Sequence, residues 1–121
     1  MKKTLIFSLL LLCGTQSAHA LSGIGNPERG KMFFTQRCAM CHGDDGRGKN
    51  GMAADFIGEW HRLTKSDLEL SANIRSGNVR TPGKIYSAGQ CPPHIFNDGD
   101  MSDVLSYIRN AFGTPQLDYG K

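Results

Sequence analysis

Cys38-Ala39-Met40-Cys41-His42 puts two thiols and an imidazole within five positions, in the pattern C-x-x-C-H. The spacing has a mechanical meaning. Two thiols can add across the two vinyl groups of a haem, and the two residues between them set their separation. The adjacent imidazole then reaches the iron as an axial ligand. The string is therefore the signature of c-type haem attachment. Two other chemistries use paired cysteines. A thioredoxin-like redox pair should follow a strand in a βαβ pattern, and none is visible. A zinc site needs a second pair of ligands, which Cys91 and His94 could supply.

The start of the chain bears on which chemistry applies. Lys2 and Lys3 form a basic region, Leu5 to Leu12 is apolar except for Ser8, and Ala18-His19-Ala20 is a small-x-small cleavage site. These features read as a secretory leader over residues 1–20, cut after Ala20, with one domain over 21–121. The apolar run is too short to span a bilayer, so no stable membrane insertion of the mature chain is expected. Leu12 is too bulky for a lipoprotein cleavage site before Cys13, so lipidation is not expected. Cys13 leaves with the leader, and Cys38, Cys41 and Cys91 remain. An odd thiol in an oxidising compartment needs a role. Two cysteines on haem and one left over is one division; a Cys38–Cys41 disulfide with a free Cys91 is the other. Export to the periplasm favours haem, because bacteria attach haem c outside the cytoplasm. Losing Lys2 and Lys3 lowers the formal charge from +3 to about +1, and no basic run points to nucleic acid.

Three helices are expected to position these residues. The first begins at Asn26, an N-cap followed by Pro27 and Glu28, and runs to about Cys38. Gly30, Phe33 and Phe34 share a face, and Gly30 permits close approach of another helix. The second covers roughly Lys65 to Ser76, capped by Thr64 or Ser66 and ended by Gly77. Leu68, Ala72 and Arg75 form one stripe on it; Leu70 and Ile74 form the next. The third is capped by Asn97 or Asp98 and carries Met101, Val104, Leu105, Ile108 and Phe112 at helical spacing. Gly113 closes it and Pro115 follows. No segment alternates as a strand would, so the chain reads as all-α. A helical domain of about 100 residues has a marginal core of its own, and a buried haem would supply apolar volume.

The segment from Gly30 to Gly43 resembles the opening of class I c-type cytochromes. That family has glycine eight residues and an aromatic four residues before the first cysteine, where Gly30 and Phe34 stand. Gly43, Gly46 and Gly48 resemble its glycine-rich loop, and Tyr107-Ile108-Arg109-Asn110 resembles its last helix. The resemblance covers nearly all of residues 21–121. It implies a small cytochrome c fold of three or more helices around one covalent haem c, held by Cys38 and Cys41 with His42 as proximal ligand. It also implies that the first and last helices cross, with Gly30 and Phe34 against Leu105 and Tyr107.

One position departs from the family. Its members present Met-Pro-Pro before the last helix, with the Met sulfur as second axial ligand. Here the sequence is Gln90-Cys91-Pro92-Pro93-His94. Cys91 thiolate is the expected distal ligand, which would favour ferric iron and lower the potential. His94, an open site and another Met are the alternatives. Among the methionines, Met40 should point away from iron, Met101 reads as core, Met52 lies on the wrong side of the chain, and Met32 packs or faces water. Trp60 and Tyr86 could donate to haem propionates or simply pack. Arg47, Lys49, Arg75, Arg80 and Lys84 could neutralise propionates or face a partner, and His61 reads as surface.

The expected function is electron transfer by a periplasmic monohaem protein, as a carrier or as a subunit of an oxidoreductase, and not as an enzyme in its own right. Its partners would be redox proteins met transiently. A haem sensor of small ligands and a sulfur-compound-oxidising haem subunit are the alternatives.

Overall fold

Asn26 starts the first helix. Its side-chain oxygen accepts the amides of Glu28 (3.0 Å) and Arg29 (3.1 Å). These amides have no partner inside the helix, and Pro27 at the first position has no amide to satisfy. The result is α1, Pro27–Arg37. The computed structural model describes residues 25–77, 83–89 and 91–113. The expected leader over 1–20 with Cys13, and also Arg80, Gln90 and Pro115, lie outside the described residues.

After α1 the chain makes a single further turn, α2 (Ala39–His42). Gly43, Gly46 and Gly48 then take positive φ and fold the chain back through two short 3-10 turns, Lys49–Gly51 and Trp60–Thr64. Ser66 is extended, and its hydroxyl accepts the Glu69 amide at 3.2 Å. Helix α3 therefore runs Asp67–Ser76, two residues shorter at its start than the sequence suggested, and left-handed Gly77 ends it. Asn97 caps α4, Asp98–Phe112, by accepting the Asp100 amide at 2.8 Å. Gly113 follows with a right-handed φ of −81°. Among the described residues there are four α-helices and no strand, so the all-α expectation holds.

Helices α1 and α4 meet backbone to backbone. A Cβ on Gly30 would collide with the Asp103 carbonyl and lie 2.8 Å from Tyr107 Cβ. The Phe34 ring sits 5.4 Å from both Tyr107 and Phe112. The sequence placed Leu105 at this contact as well. Gly30 meets Asp103 and Tyr107, which are one helical turn apart, while Leu105 shares the buried cluster of Phe34 and also lines the cavity described below. Asp103 is buried; its Oδ1 accepts the Asn26 amide at 2.6 Å. Its Oδ2 makes no hydrogen bond, but Arg29 Nε lies 3.4 Å away and offsets the charge.

Helix α3 buries Leu70 and Ser71 and half-buries Ile74. The alternative stripe faces out: Leu68 is 76% exposed and Arg75 pairs with Asp98 at 2.7 Å. Arg109 of α4 ties this region together, donating to the carbonyls of Leu63 (3.1 Å) and Lys65 (2.7 Å) and pairing with Asp67.

A second clasp centres on Glu59, which is buried. Arg62 Nε lies 2.5 Å from Glu59 Oε2, and Lys84 Nζ lies 2.6 Å from Oε1. Arg62 also donates to Tyr86 Oη at 2.8 Å. Burial alone would raise the Glu59 pKa, but the bonds from Lys84 and Arg62 outweigh it and hold the carboxyl below its ordinary value.

Gly30→Ala is expected to lower stability by about 1–3 kcal/mol through overpacking at the α1–α4 contact, read by chemical denaturation. Glu59→Gln is expected to lower stability at neutral pH by about 1–3 kcal/mol. A carboxyl whose folded pKa lies below its unfolded value stabilises the fold above that unfolded value and loses this as pH falls through the folded one. The gap between wild type and Glu59→Gln should therefore narrow as denaturation is repeated at falling pH below the ordinary glutamate range. A constant gap would mean that the Glu59 charge contributes nothing.

Candidate functional site

Cys38 closes α1, its amide donating to the Phe34 carbonyl at 2.8 Å. Its own carbonyl accepts the amides of Cys41 (3.1 Å) and His42 (2.9 Å). These bonds hold the motif as one helical turn continuous with α1. Residues three apart on a turn share a face, so Cys38 and Cys41 stand side by side.

His42 is fixed from two directions. Its Nδ1 lies 3.2 Å from the Ala54 carbonyl, and its ring stacks on Phe56 at 4.4 Å and 13°. A carbonyl can only accept, so Nδ1 carries the proton and Nε2 keeps its lone pair. Burial lowers the His42 pKa, and Arg62 and His94 lower it further against the pull of the Ala54 bond. The ring is held neutral with one nitrogen ready to bind metal, which is the arrangement a ligating histidine needs.

The motif opens on a cavity of about 380 Å³. Phe34, Leu63, Leu70, Ile74, Leu105 and Ile108 form much of its wall, and Arg62, Tyr86 and Arg109 contribute polar groups. A cavity of this size, mostly apolar with a few polar groups, suits a cofactor. Cys38, Cys41, His42, Cys91 and His94 all line it. The turn of α1 and α2 therefore meets the Cys91–His94 stretch across one space, although about fifty residues separate them.

The described cysteines are all unpaired. Burial pushes the Cys38 thiol up to about 12, with Cys91 adding to the shift. Burial also raises Cys91, with Cys41 nearby. Burial lowers His94, and Arg37 lowers it further. Among the described residues, no three of His, Cys, Asp and Glu converge closely enough to hold a metal ion between them. The donors are spread around a cavity and do not meet at a point, as a tetrahedral zinc site would require. Two unpaired thiols, a neutral imidazole and an apolar enclosure are the groups that covalent haem needs, so the residues fit it.

The remaining expectations divide. Tyr86 lines the cavity, whereas Trp60 stands outside its lining. Met101 is wholly buried core and Met32 is half exposed. Met40 is 71% exposed at the cavity rim. Met52 was expected on the wrong side, yet it lies on the cavity wall because the glycine-rich loop turns back over the motif. His61 is exposed but borders the cavity. Lys84 is engaged by Glu59 and Arg75 by Asp98.

Sequence reading missed Ala54, Phe56 and Glu59. Ala54 acts through its carbonyl and leaves no side-chain signal. Phe56 is one aromatic among several. Glu59 and Arg62, opposite charges three residues apart, were a readable signal for an ion pair.

Comparison with known proteins gives the context. The family model for cytochrome c matches residues 27–112. The chain is 26% identical over 101 residues to the alcohol dehydrogenase (quinone), cytochrome c subunit, of Gluconobacter oxydans, covering 81% of this chain and 21% of that protein. It is 30% identical over 88 residues to the Cbb3-type cytochrome c oxidase subunit FixP of Azorhizobium caulinodans, covering 69% of this chain and 29% of that protein. The chain thus spans less than a third of the length of these relatives. No solved structure matches it. The family match begins with the first residue of α1 and ends with the last of α4, taking in both packed helices and every residue that lines the cavity; the chain belongs to the cytochrome c family, in its class I form, and its cofactor is covalently bound haem c.

Proposed function

We propose that this chain is an exported one-electron carrier, working alone or as the electron-transfer subunit of an oxidoreductase. In this reading Cys38 and Cys41 bind haem through thioether bonds, and His42 and Cys91 ligate the iron. Residues 1–20 direct export to the periplasm, and residues 21–121 are the working domain. The supporting observation is that Cys38, Cys41, His42, Cys91 and His94 line one largely apolar cavity. Haem supplies the one-electron chemistry.

The chain's own residues do the rest. His42 is oriented by the Ala54 carbonyl and Phe56. Phe34, Leu105 and Ile108 exclude water. Two protein ligands leave no coordination position for a substrate, which suits transfer to a partner and not turnover at the iron. A thiolate ligand stabilises the ferric state and makes this a low-potential member of the family. Partial burial favours the neutral thiol of Cys91, so the iron's positive charge is what would keep it ionised. One relative is named as the cytochrome c subunit of a quinone alcohol dehydrogenase and the other as a subunit of a cytochrome c oxidase, which supports service to a larger redox partner. Such encounters are brief and partly electrostatic. His94 lines the same cavity and is the alternative ligand.

The test is an optical spectrum of the haem-loaded protein, as wild type and as Cys91→Met. Wild type should lack the far-red Met–iron band and show thiolate charge transfer. Cys91→Met should gain the Met band and raise the potential by roughly 0.1 V or more, within the range axial ligands span. A spectrum unchanged by Cys91→Met would remove Cys91 as a ligand, and a change on His94→Ala would then assign His94. Carbon monoxide binding by the reduced wild type would favour a ligand sensor. Turnover of thiosulfate with an artificial acceptor would favour a sulfur-oxidising subunit.

A further inference from the structure

We infer that Gly77 is a positioning residue for the distal iron ligand: the absence of a side chain there seats the Cys91–Pro92–Pro93 backbone and so decides whether Cys91 reaches the metal. The inference rests on Cys91 being that ligand.

Gly77 ends α3 with a left-handed φ of +65°. It is buried and stands outside the lining of the cavity. A Cβ built there would lie 2.7 Å from the Pro93 nitrogen and 2.9 Å from the Pro92 carbonyl carbon, and would collide with the Cys91 carbonyl oxygen. All three are backbone atoms, which cannot swing aside as a side-chain tip can. Pro92 and Pro93 also lack N–H groups, so neither can be tied to the fold by an amide. The next amide, that of His94, donates to the Ile74 carbonyl at 3.0 Å. The last turn of α3 thus holds the ligand segment at two points, by contact at Gly77 and by a hydrogen bond at Ile74.

Magnitudes show why this matters for ligation. Restoring ordinary contact around a Cβ at Gly77 needs a backbone shift of roughly 1 Å. Metal–ligand bonds tolerate about 0.2 Å. The shift therefore exceeds the tolerance several-fold, and a donor on the displaced segment loses its place. His94, on the same segment and bordering the same cavity, stands ready to replace it.

Three variants separate contact from backbone strain. Gly77→Ala adds both. Gly77→Asn adds the Cβ in a residue type that tolerates left-handed φ. Gly83→Ala imposes similar strain, at φ +77°, where nothing lies within 4 Å of an added Cβ. Each is made as the haem-loaded chain and compared with wild type by optical spectrum and by carbon monoxide binding after reduction. We expect the thiolate charge-transfer band to fall by about half or more in both Gly77 variants, consistent with a displaced ligand. It should give way to a nitrogen-ligated spectrum or to carbon monoxide binding, while Gly83→Ala stays like wild type. Retention of the full thiolate band in Gly77→Asn, or an equal loss in Gly83→Ala, would overturn the assignment. A wild-type protein without a thiolate band would instead remove the ligation reading on which it rests.

Discussion

Gly30 has no side chain, and the backbone of Asp103 fills the space one would need. This contact between α1 and α4 sets the distance between the two longest helices, and the rest follows from it. The C-x-x-C-H turn continues directly from α1, so its position is inherited from the packing of that helix. The wall of the cavity includes Leu105 and Ile108, on the same α4 that carries Asp103 and Tyr107. Phe34 serves both purposes, packing against Tyr107 and Phe112 while bordering the cavity. A helix pair held by backbone contact yields little to side-chain rearrangement, because interiors are packed too densely to deform gradually.

The two sides of the site are built differently. Cys38, Cys41 and His42 stand on a hydrogen-bonded turn, and the His42 ring is held by a carbonyl and an aromatic face. Cys91 stands on an irregular stretch that leans on the end of α3. Between them, the cluster of Glu59, Arg62, Lys84 and Tyr86 joins the loop before α3 to the segment after it. Arg109 does the same between α4 and the start of α3. Charged groups thus brace the parts of the fold that lack regular structure, while apolar contact and one glycine hold the helices.

Much of this was legible in the sequence where the determinant is local. Asn26, Ser66 and Asn97 cap their helices because a short side-chain oxygen before an apolar run satisfies free amides. The C-x-x-C-H motif is readable because its chemistry lies within one helical turn. Helix α3 was harder: two neighbouring stripes each carried a leucine, and packing chose Leu70 and Ile74 over Leu68. Met52 was misplaced because the path of the glycine-rich loop is set by its turns and not by its side chains. The Ala54 carbonyl and the contact beneath Cys91 were hidden for a related reason. Both are backbone features joining distant segments, and no side chain advertises them.

The double proline after Cys91 has a consequence for substitution at that residue. Pro92 and Pro93 hold no amide bonds, and the residue before them enters neither the α1–α4 contact nor the buried charge clusters. If Cys91 ligates the iron as proposed, its donor atom could therefore be exchanged, sulfur for sulfur or sulfur for nitrogen, without entering the packing of α1 on α4. Under that reading, stability and reduction potential would be set by different residues. A substitution at position 91 would then change the ligand while the helix packing stays as it is, with only the backbone of that residue resting on Gly77.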